Sequence, residues 1–147
     1  MIDLLFTILI LATCAYACLA GGKEGRWATF MLLGGALATI PAAMLDPSWS
    51  RTQIPVLVVD TALLGGLLWL ALRSNRFWPM WLAALHLAGV ATHIATLIGD
   101  QGWSPIAYRM MQSFWALPMQ FVMAVGIALD RQRGLTPDAT RGAVADI

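Results

Sequence analysis

Hydrophobic residues fill five long stretches of the chain, and short polar segments separate them. The stretches cover residues 2–20, 27–44, 54–72, 77–98 and 106–129, and each contains 18 to 24 residues. Since a helix rises about 1.5 Å per residue, each stretch can cross the roughly 30 Å hydrocarbon core of a bilayer. The pattern therefore predicts an all-α, polytopic integral membrane protein, with a bundle of five transmembrane helices in residues 1–130 and a polar cytoplasmic tail at 131–147.

The composition agrees with a membrane protein. Hydrophobic residues make up 59% of the chain and charged residues only 12%, and the mean hydropathy is +0.72. Soluble domains have about 25% charged residues. Helices in lipid associate through small residues and interhelical hydrogen bonds, and the 13 glycines suit that packing. The net charge of +1 gives no reason to expect nucleic-acid binding.

Positive charges are distributed unevenly between the two ends of the predicted helices. Five crossings place the first loop, the third loop and the tail on one side of the membrane. Seven of the nine Lys and Arg residues then lie on that side, namely Lys23, Arg26, Arg73, Arg76, Arg131, Arg133 and Arg141, and the other two are Arg51 and Arg109. By the positive-inside rule, the carboxyl terminus is cytoplasmic and the amino terminus is outside. The chain is therefore predicted to be a multi-pass protein of the cell inner membrane.

A few polar residues interrupt the predicted membrane segments at similar depths. Asp60 lies about 9 Å below the outer boundary of the third helix, and His93 and Gln112 come to a similar level in the fourth and fifth helices, with Arg109 one turn higher. His86 shares a face with His93. We therefore expect Asp60, His93, Arg109 and Gln112 to form a polar cluster near the extracytoplasmic face, with His86 close by.

The fifth hydrophobic stretch has a polar and small stripe that supports this cluster. Its members fall at spacings of three and four residues, which is one face of a helix: Arg109, Gln112, Ser113, Ala116 and Gln120. A stripe of this kind is typical of a helix face that points into a bundle. Pro118 lies within the stretch and is expected to interrupt the helix.

The polar cluster has two interpretations. A charged side chain near the middle of a bilayer costs about 2.5 to 3.5 kcal/mol, so such residues usually pair or line a functional site. In the first, the cluster binds a ligand or ion through Asp60, His93, Arg109, Gln112 and His86. In the second, Asp60, His93 and Arg109 form a structural pin that fixes the register of the helices. Catalysis has less support, since His93 beside Asp60 is the only orienting pair.

Metals and cofactors also have little support. The two histidines lie seven residues apart on one helix, about 10 Å along its axis, so they cannot both bind one metal ion. Met119 and Met123 share a face and thioethers favour Cu(I), but methionine is also an ordinary packing residue. Cys14 and Cys18 lie one turn apart and are interpreted as packing residues. No cofactor is expected.

Part of the chain resembles known proteins. The segment RSNRFWPMW, the two histidines, Tyr108 with Arg109, and Phe114 with Trp115 resemble small uncharacterised inner-membrane proteins of Gram-negative bacteria, over the third to fifth helices. The resemblance implies a small, non-enzymatic membrane component.

These observations favour a non-enzymatic accessory or interaction protein of the lipid bilayer. It would assemble with further copies of itself or with another membrane protein through its small-residue faces. The alternative is a small transporter, or a proton or ion relay that uses Asp60, His93 and Arg109. A haem- or copper-binding membrane protein has the least support.

Overall fold

The computed structural model describes residues 2–45, 52–99, 107, 110–111 and 114–135, with side chains from residue 6 onward. These residues form helices, and none of them forms a strand, so the predicted all-α class is confirmed. Most of the predicted tail lies outside the described residues. The helices are α1 (Ile2–Ala20), α2 (Gly22–Met44), α3 (Ile54–Arg73), α4 (Trp78–Ile98) and α5 (Ala116–Gln132).

Three of these helices, α2, α3 and α4, are long and apolar enough to cross a membrane. In α1, the segment Phe6–Ala20 is apolar but shorter, and α5 has 17 residues in the described part of the chain. The membrane character of the protein therefore rests on the three central helices. The crossings by α1 and α5 stay predictions.

The helices form a closed ring in which each one packs against the next in sequence, and α5 packs against both α4 and α1. Sequential neighbours are antiparallel, as short connections require. Between α1 and α2, Thr29 Oγ1 donates a hydrogen bond to the carbonyl oxygen of Cys14 at 3.1 Å. The contact between α1 and α5 is parallel, because a ring with an odd number of alternating helices must contain one such contact. Gly21 lies beside Ile127 at one end, and Ile10 and Gln120 line a common cavity towards the other.

The connection between α1 and α2 is tighter than the hydropathy pattern predicts. Helix α2 begins at Gly22, five residues before the predicted start, and the polar residues after it form the first turns of the helix. Gly22 has a φ of 64°, which glycine adopts without strain. A Cβ on Gly25 would overlap the carbonyl oxygen of Ala17, so the two backbones are in direct contact. Hydropathy misses this helix start because polar residues can begin a helix outside the hydrocarbon region.

Helix α5 extends beyond the predicted end of the fifth stretch, whose predicted start at residue 106 lies outside the described residues. It begins at Ala116, and Pro118 is in its first turn, where a missing N–H costs no hydrogen bond. The helix therefore starts afresh just before Pro118, in agreement with the predicted interruption. At its other end it continues to Gln132, three residues beyond the predicted limit of 129.

Asp130, which directly follows the fifth hydrophobic stretch, is buried in the bundle. Its carboxylate accepts a hydrogen bond from Trp78 Nε1 at 3.2 Å, and Arg76 Nη1 lies 3.7 Å from the same oxygen. Trp78 packs so closely on α5 that a Cβ atom added to Gly126 would overlap the Cβ atom of Trp78. These contacts fix the start of α4 against the end of α5.

The hydrophobic core occupies the half of the ring that contains the start of α4 and the end of α5. It includes Leu67, Leu82, Met123 and Ile127, all of which are at most 1% exposed. Cys14 belongs to the same core, Cys18 is exposed, and both are free thiols. All six Lys and Arg residues of the described chain are in the turns and helix ends beyond this core: Lys23, Arg26, Arg73, Arg76, Arg131 and Arg133. This end of the ring is called the basic end below.

Candidate functional site

A cavity of about 360 Å³, called the central cavity below, lies in the half of the ring opposite the basic end. Side chains from all five helices form its wall, so the cavity is a property of the closed ring and not of one hairpin. Most of the wall is apolar, with residues such as Ile10, Leu32 and Val56. The polar side chains on the wall come from α2, α3, α4 and α5: Thr39, Asp60, His86, His93 and Gln120.

Asp60 and His93 form a hydrogen-bonded pair on this wall. The Nε2 atom of His93 lies 2.9 Å from Oδ2 of Asp60. The His93 side chain is 1% exposed and that of Asp60 is 22% exposed, so the carboxylate faces the cavity while the imidazole is enclosed. The short turn between α3 and α4 makes the two helices an antiparallel hairpin, which brings residues of equal depth together. The sequence argument from depth predicted this meeting of Asp60 and His93.

His86 also contacts Asp60, at its main chain. Its Nε2 atom lies 2.9 Å from the carbonyl oxygen of Asp60. Because a carbonyl oxygen can only accept a hydrogen bond, we assign the proton of His86 to Nε2. Both histidines of the chain therefore hold α4 against the same residue of α3, one through the carboxylate and the other through the backbone.

Threonine hydroxyl groups extend the polar contacts of α4. Thr52, just before α3, lies 2.9 Å from the Thr96 hydroxyl and donates to the carbonyl oxygen of His93 at 3.4 Å. Trp115, just before α5, donates its Nε1 proton to Thr92 Oγ1 at 3.2 Å. Sequence reasoning did not find Thr52, Thr92 or Trp115. The sequence shows that His93 and Thr96 are three residues apart. It does not show that Thr52 and Trp115 approach α4, because only the fold brings their segments close to this helix.

Gln120 of α5 is a buried polar residue of the wall. It is 4% exposed, and its Oε1 atom has no hydrogen-bond partner among the described residues. Gln120 and Ala116 belong to the polar stripe seen in the sequence, and both line the cavity. For these two residues the prediction that the stripe faces the bundle interior is confirmed.

Arg109 and Gln112 lie outside the described residues, so their place in the polar cluster stays a prediction. Within the described residues, no three side chains of the His, Cys, Asp and Glu types are grouped closely enough to hold a metal ion. Asp60 is the only Asp, Glu, Lys or Arg residue that the described wall contains, and the described wall has no Ser or Cys beside the histidines. The wall therefore offers a carboxylate, an amide and two imidazoles, which are groups suited to holding a small polar molecule.

Comparison of the chain with protein-family models, with curated proteins and with solved structures finds no match. The resemblance to small inner-membrane proteins is therefore not supported by a match to any protein family. The class that the fold supports is an all-helical protein with three helices long and apolar enough to cross a membrane.

Proposed function

We propose that the protein is a multi-pass inner-membrane protein that binds a small molecule in the central cavity. One observation carries this proposal: a cavity walled by all five helices contains the Asp60–His93 pair and a buried amide oxygen of Gln120 without a described partner. The volume of about 360 Å³ falls within the range of roughly 300 to 1,000 Å³ that is usual for small-molecule sites.

The energetics of the wall support a ligand. A buried acceptor without a hydrogen bond costs about 1 to 3 kcal/mol, and few such groups occur in native proteins. A carboxylate in a membrane segment adds a further cost unless it is paired or reaches a polar environment. A bound molecule that donates hydrogen bonds to Asp60 and Gln120 would offset both costs.

Binding has more support than passage through the protein. A transporter or proton relay that uses Asp60, His93 and Arg109 needs a polar path from the cavity to the basic end. The core between them is apolar, and its central residues Leu67, Leu82, Met123 and Ile127 are at most 1% exposed. A polar solute would therefore have to cross a packed hydrophobic layer, which costs several kcal/mol for an uncompensated polar group.

The accessory role is a second hypothesis. The sequence assigned small residues to association with a partner, but several glycines are used within the ring, where Gly25 meets α1 and Gly126 meets Trp78. Gly34 and Gly65 still have open space beside them and remain available for a neighbouring helix. Co-purification from native membranes distinguishes the hypotheses, since an accessory protein is recovered in a defined complex with another protein.

The basic end is expected to face the cytoplasm. All six described Lys and Arg residues are there, and the positive-inside rule then puts the cavity half of the ring near the extracytoplasmic face. Fusion of a reporter that is active only outside the cytoplasm should give signal at the amino terminus and none after residue 135. A fluorescent protein that folds in the cytoplasm should give the reverse pattern. Signal from both termini in the same compartment would contradict the five-crossing arrangement.

Filling the cavity is expected to remove the bound molecule. Gly89 lines the cavity, and a Cβ placed there would lie 3.7 Å from Trp115, which is an ordinary contact. The variant Gly89→Leu should therefore fold and project its side chain into the space of the ligand. Protein extracted from native membranes is examined by native mass spectrometry, in which wild type should have a bound small molecule and Gly89→Leu should lack it.

Gly65→Leu is the matched control for this experiment. Gly65 also lies within a helix, it is not among the residues that line the cavity, and a Cβ there would meet no atom within 4 Å. Both substitutions replace glycine in a helix and gain up to about 1 kcal/mol of helix propensity. Gly65→Leu should retain the bound molecule. Equal ligand content in all three proteins, or none in wild type, would contradict the proposed function.

A further inference from the structure

We infer that the ligand of the central cavity is a small organic cation, an amine with an apolar body. The inference rests on the proposed function, since it names the chemical class that this cavity selects. It is drawn from the hydrogen-bonding groups of the wall, from their charge and from the size of the cavity.

The wall offers hydrogen-bond acceptors. Oε1 of Gln120 has no described partner, and among the described residues the Asp60 carboxylate receives a side-chain hydrogen bond only from His93. Three of the donors on or beside the wall are already used. His86 donates to the carbonyl oxygen of Asp60, Trp115 donates to Thr92, and the Thr39 hydroxyl donates to the carbonyl oxygen of Gly35. A ligand that meets these two acceptors must supply donors, as an ammonium group does.

The charge of the wall favours a cation. The Asp60 carboxylate hydrogen-bonds to His93, and none of the described residues that line the cavity is a Lys or Arg. Charges interact more strongly in a low-dielectric interior than in water. An ammonium group therefore gains from Asp60, and a carboxylate ligand is repelled by it.

The remainder of the wall selects an apolar body. Leu32, Val56 and Leu63 face the cavity from α2 and α3. Liquid water takes about 30 Å³ per molecule, so a cavity of about 360 Å³ has room for on the order of twelve heavy atoms. These limits fit an amine of about this size whose carbon skeleton is aromatic or aliphatic.

Three probes of nearly equal shape test the inference: 2-phenylethylamine, the neutral 2-phenylethanol and the anionic 3-phenylpropanoate. Each is titrated by calorimetry into the full chain in detergent micelles, and the same titration into Gly89→Leu is subtracted to remove partition into the micelle. We expect the amine to bind at least about tenfold more tightly than the alcohol, since charge-assisted hydrogen bonds are roughly twice as strong as neutral ones. The anion should show no binding.

Two variants link the preference to the wall. Asp60→Asn keeps an acceptor for His93 but removes the charge, so it should fold and bring the affinities of the amine and the alcohol to within about twofold of each other. Gln120→Leu removes the buried acceptor and should weaken amine binding by about fivefold, as expected for one neutral hydrogen bond.

The outcomes separate the ligand class from the function. Equal affinity of wild type for the amine and the alcohol, or tighter binding of the anion, would overturn the amine assignment, while heats that disappear in Gly89→Leu would still support a binding cavity. An unchanged preference in Asp60→Asn would also overturn the assignment. If none of the probes binds above the Gly89→Leu background, the amine assignment fails, and the mass spectrometry of native protein decides the proposed function independently.

Discussion

Substitution of Gly25 by alanine is expected to destabilise the protein strongly. A Cβ at this position would overlap the carbonyl oxygen of Ala17, which belongs to the backbone of α1 and cannot rotate away as a side chain can. The two helices must therefore separate, which also lengthens the bond between Thr29 and Cys14. Overpacking of this kind costs about 1 to 3 kcal/mol or more. The thermal unfolding midpoint of the purified protein in detergent measures the effect.

Gly34→Ala is the control, since it is the same substitution on the same helix. A Cβ at Gly34 would meet no atom within 4 Å. Alanine is the better helix former by about 1 kcal/mol, so this variant should be as stable as wild type or slightly more stable. If Gly25→Ala and Gly34→Ala unfold at the same temperature, the close contact between α1 and α2 is wrong.

Substitution of His93 by leucine is the second change with a large expected effect. It removes the only side-chain hydrogen bond that the Asp60 carboxylate receives from the described residues and leaves a charge in a membrane segment. A charge near the middle of a bilayer costs about 2.5 to 3.5 kcal/mol, and the cost is smaller near its edge. We therefore expect a loss of stability of about 1 to 3 kcal/mol, measured as a lower unfolding midpoint.

The double variant Asp60→Leu with His93→Leu separates a structural pin from a binding site. Replacing both partners of a buried polar pair by apolar residues is often neutral or stabilising, so the double variant should recover most of the stability lost in His93→Leu. It should bind 2-phenylethylamine no more tightly than 2-phenylethanol, because the carboxylate is gone. Recovery of both stability and binding would show that Asp60 has no part in the site.

The sequence predicted the ends of α1, α3 and α4 to within one residue, because apolar length in a membrane protein is set by the bilayer. It failed for the start of α2 and for the end of α5. In α2 the polar residues after Gly22 continue the helix beyond the apolar segment, and in α5 Asp130 is compensated by Trp78 and Arg76. Both features depend on contacts with another helix. The hydropathy pattern of a sequence contains no information about such contacts.

The candidate site was predicted only in part for a similar reason. Depth along a helix follows from counting residues, and this is why Asp60 and His93 could be matched before their contact was seen. The cavity depends on which faces turn inward and on the closure of the ring by α5 against α1. No local sequence pattern indicates either feature. Only the fold therefore shows the contacts of Thr52 and Trp115 and the burial of Gln120 without a described partner.

The parallel contact between α1 and α5 has a consequence for biogenesis. It joins the first and the last of the five described helices to leave the ribosome, so the cavity has an open side until α5 has docked against α1. The wall of the cavity is therefore complete only after the last of the five described helices has docked.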